Sequence, residues 1–399
     1  MSLDHPVLDH VVLGASSLFD VKRAPMAAHM TVFPQRPDAA IDAAGLLQVV
    51  DVIAPPEGGP LLLSVANEAG LRALLAAPTA PHLMIEVPGF MLTDPELATL
   101  LHERVAQGLS LVLGGRVPDA APQNLWQLFQ AVTVDRANIR NPLPPGLGNR
   151  PLQRFFVGAD GPAMSAGALR AGFAAVVGWA VGDAPGPESK PKPVPAGVTT
   201  VVDLMQRVDR QEPAEKLEAV VKNDPTLAFR LMRYLNSPGF GLSVEISSFR
   251  HALMILGYQR LKRWLALLVT SAIDDPDLKP LMHLAVRRGL LMEEIARPGG
   301  DDALRNELFI CGVFSTLDRM IGQPFEQLLK TIPVQESVAS ALAHDAGPCA
   351  PFLALARAVE AESAYDIREC AETLLLTVGD VNRALAKSLV HAHSLTSGG

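Results

Sequence analysis

Cysteine is scarce in this chain: Cys311, Cys349 and Cys370 are the only three in 399 residues. They are odd in number, far apart in sequence and never in a CxxC pair. That excludes a disulfide framework and the usual zinc sites, and fits reduced thiols in a cytoplasm. Long apolar runs are missing too. The longest candidate, residues 264–273, is interrupted by Thr270 and Ser271 and follows Arg260, Lys262 and Arg263, so it reads as a buried helix and not a membrane span. There is no excess of basic charge; a net charge of −8 and a pI near 5.7 argue against a nucleic-acid binder. The first residues carry Asp4, His5 and Asp9 where a secretion signal needs a basic region and an apolar run, and a cytoplasmic protein is expected. What is present, 49% hydrophobic against 19% charged residues, excludes a largely disordered chain.

The length points to more than one core. Residues 183–198 contain five prolines, which remove backbone donors and favour extended conformations, so this stretch reads as a linker. It divides the chain into domains at 1–182 and 199–395. In the first, short apolar runs fall at 10–14, 29–33, 47–53, 61–66, 83–87, 110–113, 131–135, 154–157 and 174–179. Helical patterns intervene at 68–77, 95–107, 123–130 and 163–171, with Asp94-Pro95 as a cap and first-turn proline. Continuous apolar strands alternating with helices imply a parallel sheet covered on its faces, here an α/β barrel of the (β/α) TIM type, complete or incomplete. An uncovered edge of a shortened barrel would need a second copy, making a homo-oligomer, or the helical domain. The second domain shows apolar residues only at helical spacing, in some ten segments between 201 and 376, and is expected to be all-α.

One local motif stands out: Asn223-Asp224-Pro225, an apolar helix through Leu227, Leu231 and Leu235, then Asn236-Ser237-Pro238-Gly239. Asp224 caps the helix, Pro225 opens it, and the Asn236 corner ends it. A second amphipathic helix from Ser248 stops at Gly257 and restarts. In this order and spacing the two elements resemble the HDOD domain, a catalytically impaired relative of the HD and HD-GYP phosphohydrolases. The resemblance continues through Phe309–Arg319 and 335–342. It implies structural or interaction roles for Asp224, Pro225, Asn236, Ser237 and Gly257.

Bacterial signalling proteins combine this domain with an upstream EAL barrel, and the first half is similar to that barrel at three anchors. Ser17-Leu18-Phe19-Asp20 looks like its opening segment, Leu83–Val87 like its strand bearing Glu86, and Gly172-Phe173 to Gly178-Trp179 like its last strand. An EAL enzyme hydrolyses cyclic di-GMP with metal ions held by carboxylates and an asparagine, which activate water and neutralise phosphate. Carried onto this chain, those positions hold His29 for the namesake glutamate, Phe33 for a phosphate-reading arginine and Ser64 for the asparagine. Gly114 and Gly115 replace a pair of aspartates, with Arg116 beside them, and Thr133 replaces a lysine. Gly158-Ala159 falls where a later glutamate is expected. Glu86 and Asp135 are left as vestigial acids. In the second domain Ser315-Thr316 stands where the metal-binding His-Asp pair would be, with His283 near an upstream histidine position.

Other groups have plainer readings beside their chemical ones. His344-Asp345 is a metal pair or a helix end, and His391 with His393 a chelate or a frayed tail. Gly14–Leu18 faintly resembles a serine-nucleophile turn but lacks its second glycine. Arg230, Arg233, Arg250, Arg260, Lys262 and Arg263 form a face for an acidic partner or ordinary amphipathic surfaces. The expectation is a non-catalytic signalling protein without cofactor or metal, working through contacts with other signalling proteins, with no nucleic acid and no membrane as partner. The alternatives are a cyclic di-GMP receptor that does not hydrolyse its ligand, and a cyclic di-GMP phosphodiesterase or metal phosphohydrolase.

Overall fold

The computed structural model describes the chain except at residues 1–2, 37–38, 55–58, 79–81, 140–151, 187–193, 225–226, 229–230, 232–247, 274, 297–301, 333 and 397–399. It divides into two compact units. One is Met1–Gly182 together with Arg357–Ala386; the other is Asp183–Ala356 with Lys387–Gly399. The first break falls at the start of the expected linker. The second domain, expected as one body over 199–395, instead gives up residues 357–386 to the first unit.

The first unit is built on a closed barrel of eight strands in sequence order: β1 Val11–Asp20, β2 Pro25–Pro34, β3 Leu61–Val65, β4 Leu83–Pro88, β5 Ser110–Gly114, β6 Phe129–Asp135, β7 Gln153–Val157 and β8 Ala175–Val177. β1 runs antiparallel to both β2 and β8, and every other pairing is parallel. The barrel is therefore complete in strands but sparsely covered. Its helices before the linker are α1 Ala43–Ile53, α2 Glu68–Ala76, α3 Pro95–Ala106 and α4 Pro162–Arg170.

Two segments differ from expectation. Residues 47–53, expected as a strand, lie in α1, because Asp42 accepts the Gly45 amide at 3.0 Å and caps a helix that buries Leu46, Val49, Val50 and Ile53 on one side. Residues 123–130, expected as a helix, make a short 3-10 turn at Gln123–Leu128 and then enter β6.

The lower interior of the barrel is filled by Leu18, Leu62, Val112, Ala131, Phe155 and Ala175. Because side chains alternate along each strand, the residues two positions further toward the parallel strands' C-terminal ends also point inward. Those are Ser64, Gly114, Thr133 and Val157.

β1 has a structural problem that the C-terminal segment solves. β8 pairs only with Leu18–Asp20, leaving the first part of β1 without a strand on that side. The segment returns as the end of α13 Ala350–Glu360, then α14 Ala364–Thr373 and the start of α15 Val378–Thr396. From α15 the fully buried Asn382 accepts the Leu13 amide at 3.1 Å and donates to the carbonyls of Leu8 at 2.7 Å and Val11 at 2.8 Å. One amide thus does what a neighbouring strand would do for an edge. Arg383 beside it grips both carboxylate oxygens of Asp9 at 2.7 Å.

The second unit is all-α over its described residues: α5 Ala196–Asp209, α6 Ala214–Lys222, α7 Phe249–Ser271, α8 Lys279–Ile295, α9 Asp302–Phe314, α10 Leu317–Ile321, α11 Phe325–Leu328 and α12 Glu336–His344, with the start of α13 and the end of α15. α5 opens inside the last residues of the expected linker. Gly257 breaks α7 with φ 70° and ψ 173°, a conformation that suits glycine, as the restart after Gly257 implied. α8 and α9 cross closely enough that a Cβ on Gly312 would lie 2.4 Å from the Gly289 nitrogen.

Candidate functional site

At the barrel mouth the polar interior side chains form one connected network. His29 on β2 is buried, and its Nε2 lies 3.0 Å from Ser64 Oγ on β3. Ser64 donates its hydroxyl to Glu86 Oε2 on β4 at 2.5 Å, and Thr133 on β6 donates to Glu86 Oε1 at 2.5 Å. Gly114 on β5 makes room for this: a Cβ there would meet Glu86 Oε1 at 2.8 Å. On its other side His29 faces a residue from the far end of the chain, Glu362, between α13 and α14. The His29 Nδ1 to Glu362 Oε1 distance is 2.7 Å, Thr31 donates to Glu362 Oε2 at 2.5 Å, and Ser16 Oγ lies 3.2 Å from His29 Nδ1.

The electrostatics follow from this geometry. Burial works against a charge on His29, yet the Glu362 carboxylate, with a smaller contribution from Glu86, holds its pKa above the ordinary 6.5. Burial likewise works against the Glu362 charge, and His29 with the Ser16 and Thr31 hydroxyls overcomes it, so that carboxyl sits below 4.5. The pair is thus imidazolium and carboxylate. Since Ser64 gives its proton to Glu86, it takes one from His29 Nε2, and the line runs from Glu362 through His29 and Ser64 to Glu86 with every proton placed.

Glu362 reaches this position through a strained backbone. Its φ of 54° is in the left-handed region that non-glycine residues rarely occupy. Gly14 on β1 admits it, since a Cβ at residue 14 would sit 2.7 Å from the Glu362 Cα.

Of the two vestigial acids, Glu86 is therefore inside the network. Asp135 instead accepts the amide and side-chain nitrogen of Asn138 at 2.7 and 2.8 Å and shapes the turn after β6. Thr31 and Glu362 were not singled out by sequence, and Ser16 was noted only as part of the Gly14–Leu18 stretch. The Gly14–Leu18 stretch is the body of a strand and not a nucleophile turn.

In the helical unit Asp224 Oδ1 accepts the Leu227 amide at 2.9 Å, as a cap should, and Leu227 and Leu231 are buried. Pro225, Asn236 and Ser237 lie outside the described residues. Ser315 and Thr316 divide α9 from α10, where one helix was expected over 307–321. Ser315 donates to the Gly312 carbonyl at 2.7 Å and receives a hydrogen bond from Arg288 at 3.1 Å. His283 is held neutral, its pKa pushed down to about 3 by burial and by Arg287. His344-Asp345 is a helix end, with Asp345 at φ 47°.

Two other expectations change. His391 is in α15, with Nδ1 3.4 Å from Glu294 Oε1, and is not in a frayed tail; the His393 side chain lies outside the described residues. The basic cluster is no single face, because Arg263 turns inward onto Glu293 at 2.7 Å and over the Phe309 ring at 3.9 Å. Lys262 binds Asp209 at 2.7 Å, Arg250 binds Glu215 at 3.2 Å, and the Arg230 and Arg233 side chains lie outside the described residues. Cys311 and Cys349, distant in sequence, are hydrogen-bonded to each other, which lowers the Cys349 pKa. Among the described residues no three His, Cys, Asp or Glu side chains are grouped to hold a metal, and no helix is long and apolar enough to cross a membrane.

In comparison with known proteins, residues 194–332 match the HDOD domain. The chain is 30% identical over 173 residues to the cyclic di-GMP phosphodiesterase CdgJ of Vibrio cholerae, covering 43% of this chain and 40% of that protein. It is 22% identical over 165 residues to the uncharacterized protein YuxH of Bacillus subtilis, covering 40% of each. The chain thus spans about 40% of the length of these relatives. Among solved structures it is similar to Klebsiella pneumoniae BlrP1 in a calcium and cyclic di-GMP complex, at 14% identity and a TM-score of 0.32 over 45% of this chain and 56% of that one. It is also similar to the EAL domain of Mycobacterium smegmatis DcpA, at 15% identity and a TM-score of 0.30 over 42% of this chain and 90% of that one.

Proposed function

We propose that this chain is a cytoplasmic signalling protein of the cyclic di-GMP network that hydrolyses nothing and works through contacts with other signalling proteins. The HDOD domain over residues 194–332 and the relation to a protein named as a cyclic di-GMP phosphodiesterase support the signalling context. The observation that carries the non-hydrolytic part is the state of Glu86. Both its carboxylate oxygens accept hydroxyl protons from Ser64 and Thr133, and an imidazolium lies one hydrogen bond further on.

A pair of divalent cations needs several free oxygen ligands. The donor set here does not fit that need. It offers two carboxylates, Glu86 and Glu362, each already taken up by neighbouring side chains, a glycine at Gly114, and a cation at His29 that would repel a second cation. In the helical unit the Ser315 hydroxyl is committed to a backbone carbonyl and to Arg288, a poor start for a metal site.

Purified full-length protein incubated with cyclic di-GMP and magnesium or manganese is expected to leave the dinucleotide intact by chromatography. Turnover that disappears in Glu86→Gln or Asp135→Asn would overturn the proposal. Affinity capture from the native bacterium, repeated with a charge-reversed helical unit, then identifies the partner.

A further inference from the structure

Glu362 is an uncommon way to end a helix. Its φ of 54° is a strained, left-handed backbone for a residue with a side chain. Its carboxylate is nonetheless taken inside a barrel and met there by an imidazolium and two hydroxyls. The receiving groups belong to β1 and β2, more than 300 residues before Glu362 in sequence, so the site and its present occupant come from separate parts of the chain.

We propose that His29, Ser16 and Thr31 make a carboxylate-binding site at the barrel mouth, which Glu362 fills from within the chain and which accepts a carboxylate group from outside once Glu362 is withdrawn. The chemistry selects the ligand class. Oε1 faces the imidazole nitrogen at 2.7 Å and Oε2 the Thr31 hydroxyl at 2.5 Å, a two-point match to a planar carboxylate. The only cation among these groups is His29, and Glu86 sits behind Ser64 with a negative charge. A monoanion neutralises the remaining positive charge, whereas a phosphate dianion brings an excess that Glu86 repels. Space is the other constraint. Gly14 is where the Glu362 backbone rests, so the entry is open to a small acid as soon as that backbone moves or its side chain is removed. A free small acid and the acidic side chain of another chain share this chemistry.

Chemical rescue tests the site in the full-length protein. Glu362→Gly keeps the left-handed backbone, removes the carboxylate and leaves room beside His29. The variant is expected to melt below wild type. Acetate is expected to raise its melting temperature with the logarithm of its concentration above Kd, by about 2–4 °C between ten and a hundred times Kd, at ionic strength held constant with chloride. Wild type should not respond, and Glu362→Gly combined with His29→Gln should lose the response. Glutamate blocked at both ends is the second arm. If it rescues as acetate does, the site takes an acidic side chain; if acetate alone rescues, it takes free small acids. Glu362→Asn, which also tolerates the left-handed backbone and is too short to reach, repeats the test should the glycine variant be poorly folded. No response to either acid in a cooperatively melting variant overturns the proposal, as does an equal response to inorganic phosphate or in wild type.

Discussion

His29 and Glu362 are a buried pair whose two halves titrate in opposite senses. His29 holds its proton more tightly in the folded protein, so its stabilisation is complete below the ordinary value of 6.5 and is lost as pH rises through the raised one. Glu362 is the reverse: its stabilisation is complete above 4.5 and is lost as pH falls through the lowered value. Both are in force together between those limits. Glu362→Gln is therefore expected to cost about 2–3 kcal/mol in that window, with the gap to wild type closing in alkali and in strong acid. Melts of both proteins across pH check it; a gap independent of pH would mean the charges contribute little. Gly14→Ala tests the seat itself. The added methyl meets backbone at 2.7 Å, and a loss of about 1–3 kcal/mol is expected even though alanine suits a strand better than glycine.

At the scale of elements, Asn382 on α15 and the Gly289–Gly312 crossing carry the sharpest consequences. Asn382→Leu keeps the branched side-chain skeleton but orphans one buried donor and two buried acceptors on β1 and its approach, for an expected cost of about 2–4 kcal/mol by denaturant unfolding. Gly312→Ala pushes a methyl into the Gly289 backbone and should destabilise the helical unit by about 1–3 kcal/mol, whereas Gly257→Ala should act through backbone strain alone. Most elements were legible in the sequence. Apolar runs such as 61–66 and 83–87 marked the strands to within a residue or so, and Asp94 marked a helix start through its capping chemistry. Residues 47–53 misled because a continuous apolar run has no period of its own; the decisive signal was the Asp42 cap upstream. The site was half legible. His29, Ser64 and Thr133 were picked out by motif position, but nothing local to Glu362 says that its carboxylate pairs with a residue 333 positions away.

For the whole molecule, the return of residues 357–386 to the barrel changes what counts as a domain. A fragment beginning at 199 carries thirty residues whose burial partners it lacks, and a fragment ending at the linker lacks Glu362 and Asn382. Residues 1–186 alone are expected to self-associate or to be readily cleaved, because the free side of β1 is a template for pairing. Added peptide 357–386 should protect them. A fragment 1–186 that is monomeric by size-exclusion chromatography and as protease-resistant as the same residues in the full chain would contradict the role given to the returning segment.

That return also sets an order of events during synthesis. The eighth strand leaves the ribosome about 175 residues before the segment that completes the first unit. At roughly 5–20 residues per second, the nascent barrel waits on the order of 10–35 s with one flank of its first strand bare. Translation rate and chaperone supply thus become determinants of yield for this chain, and slowing elongation within the intervening helical stretch should raise the fraction captured by holdases.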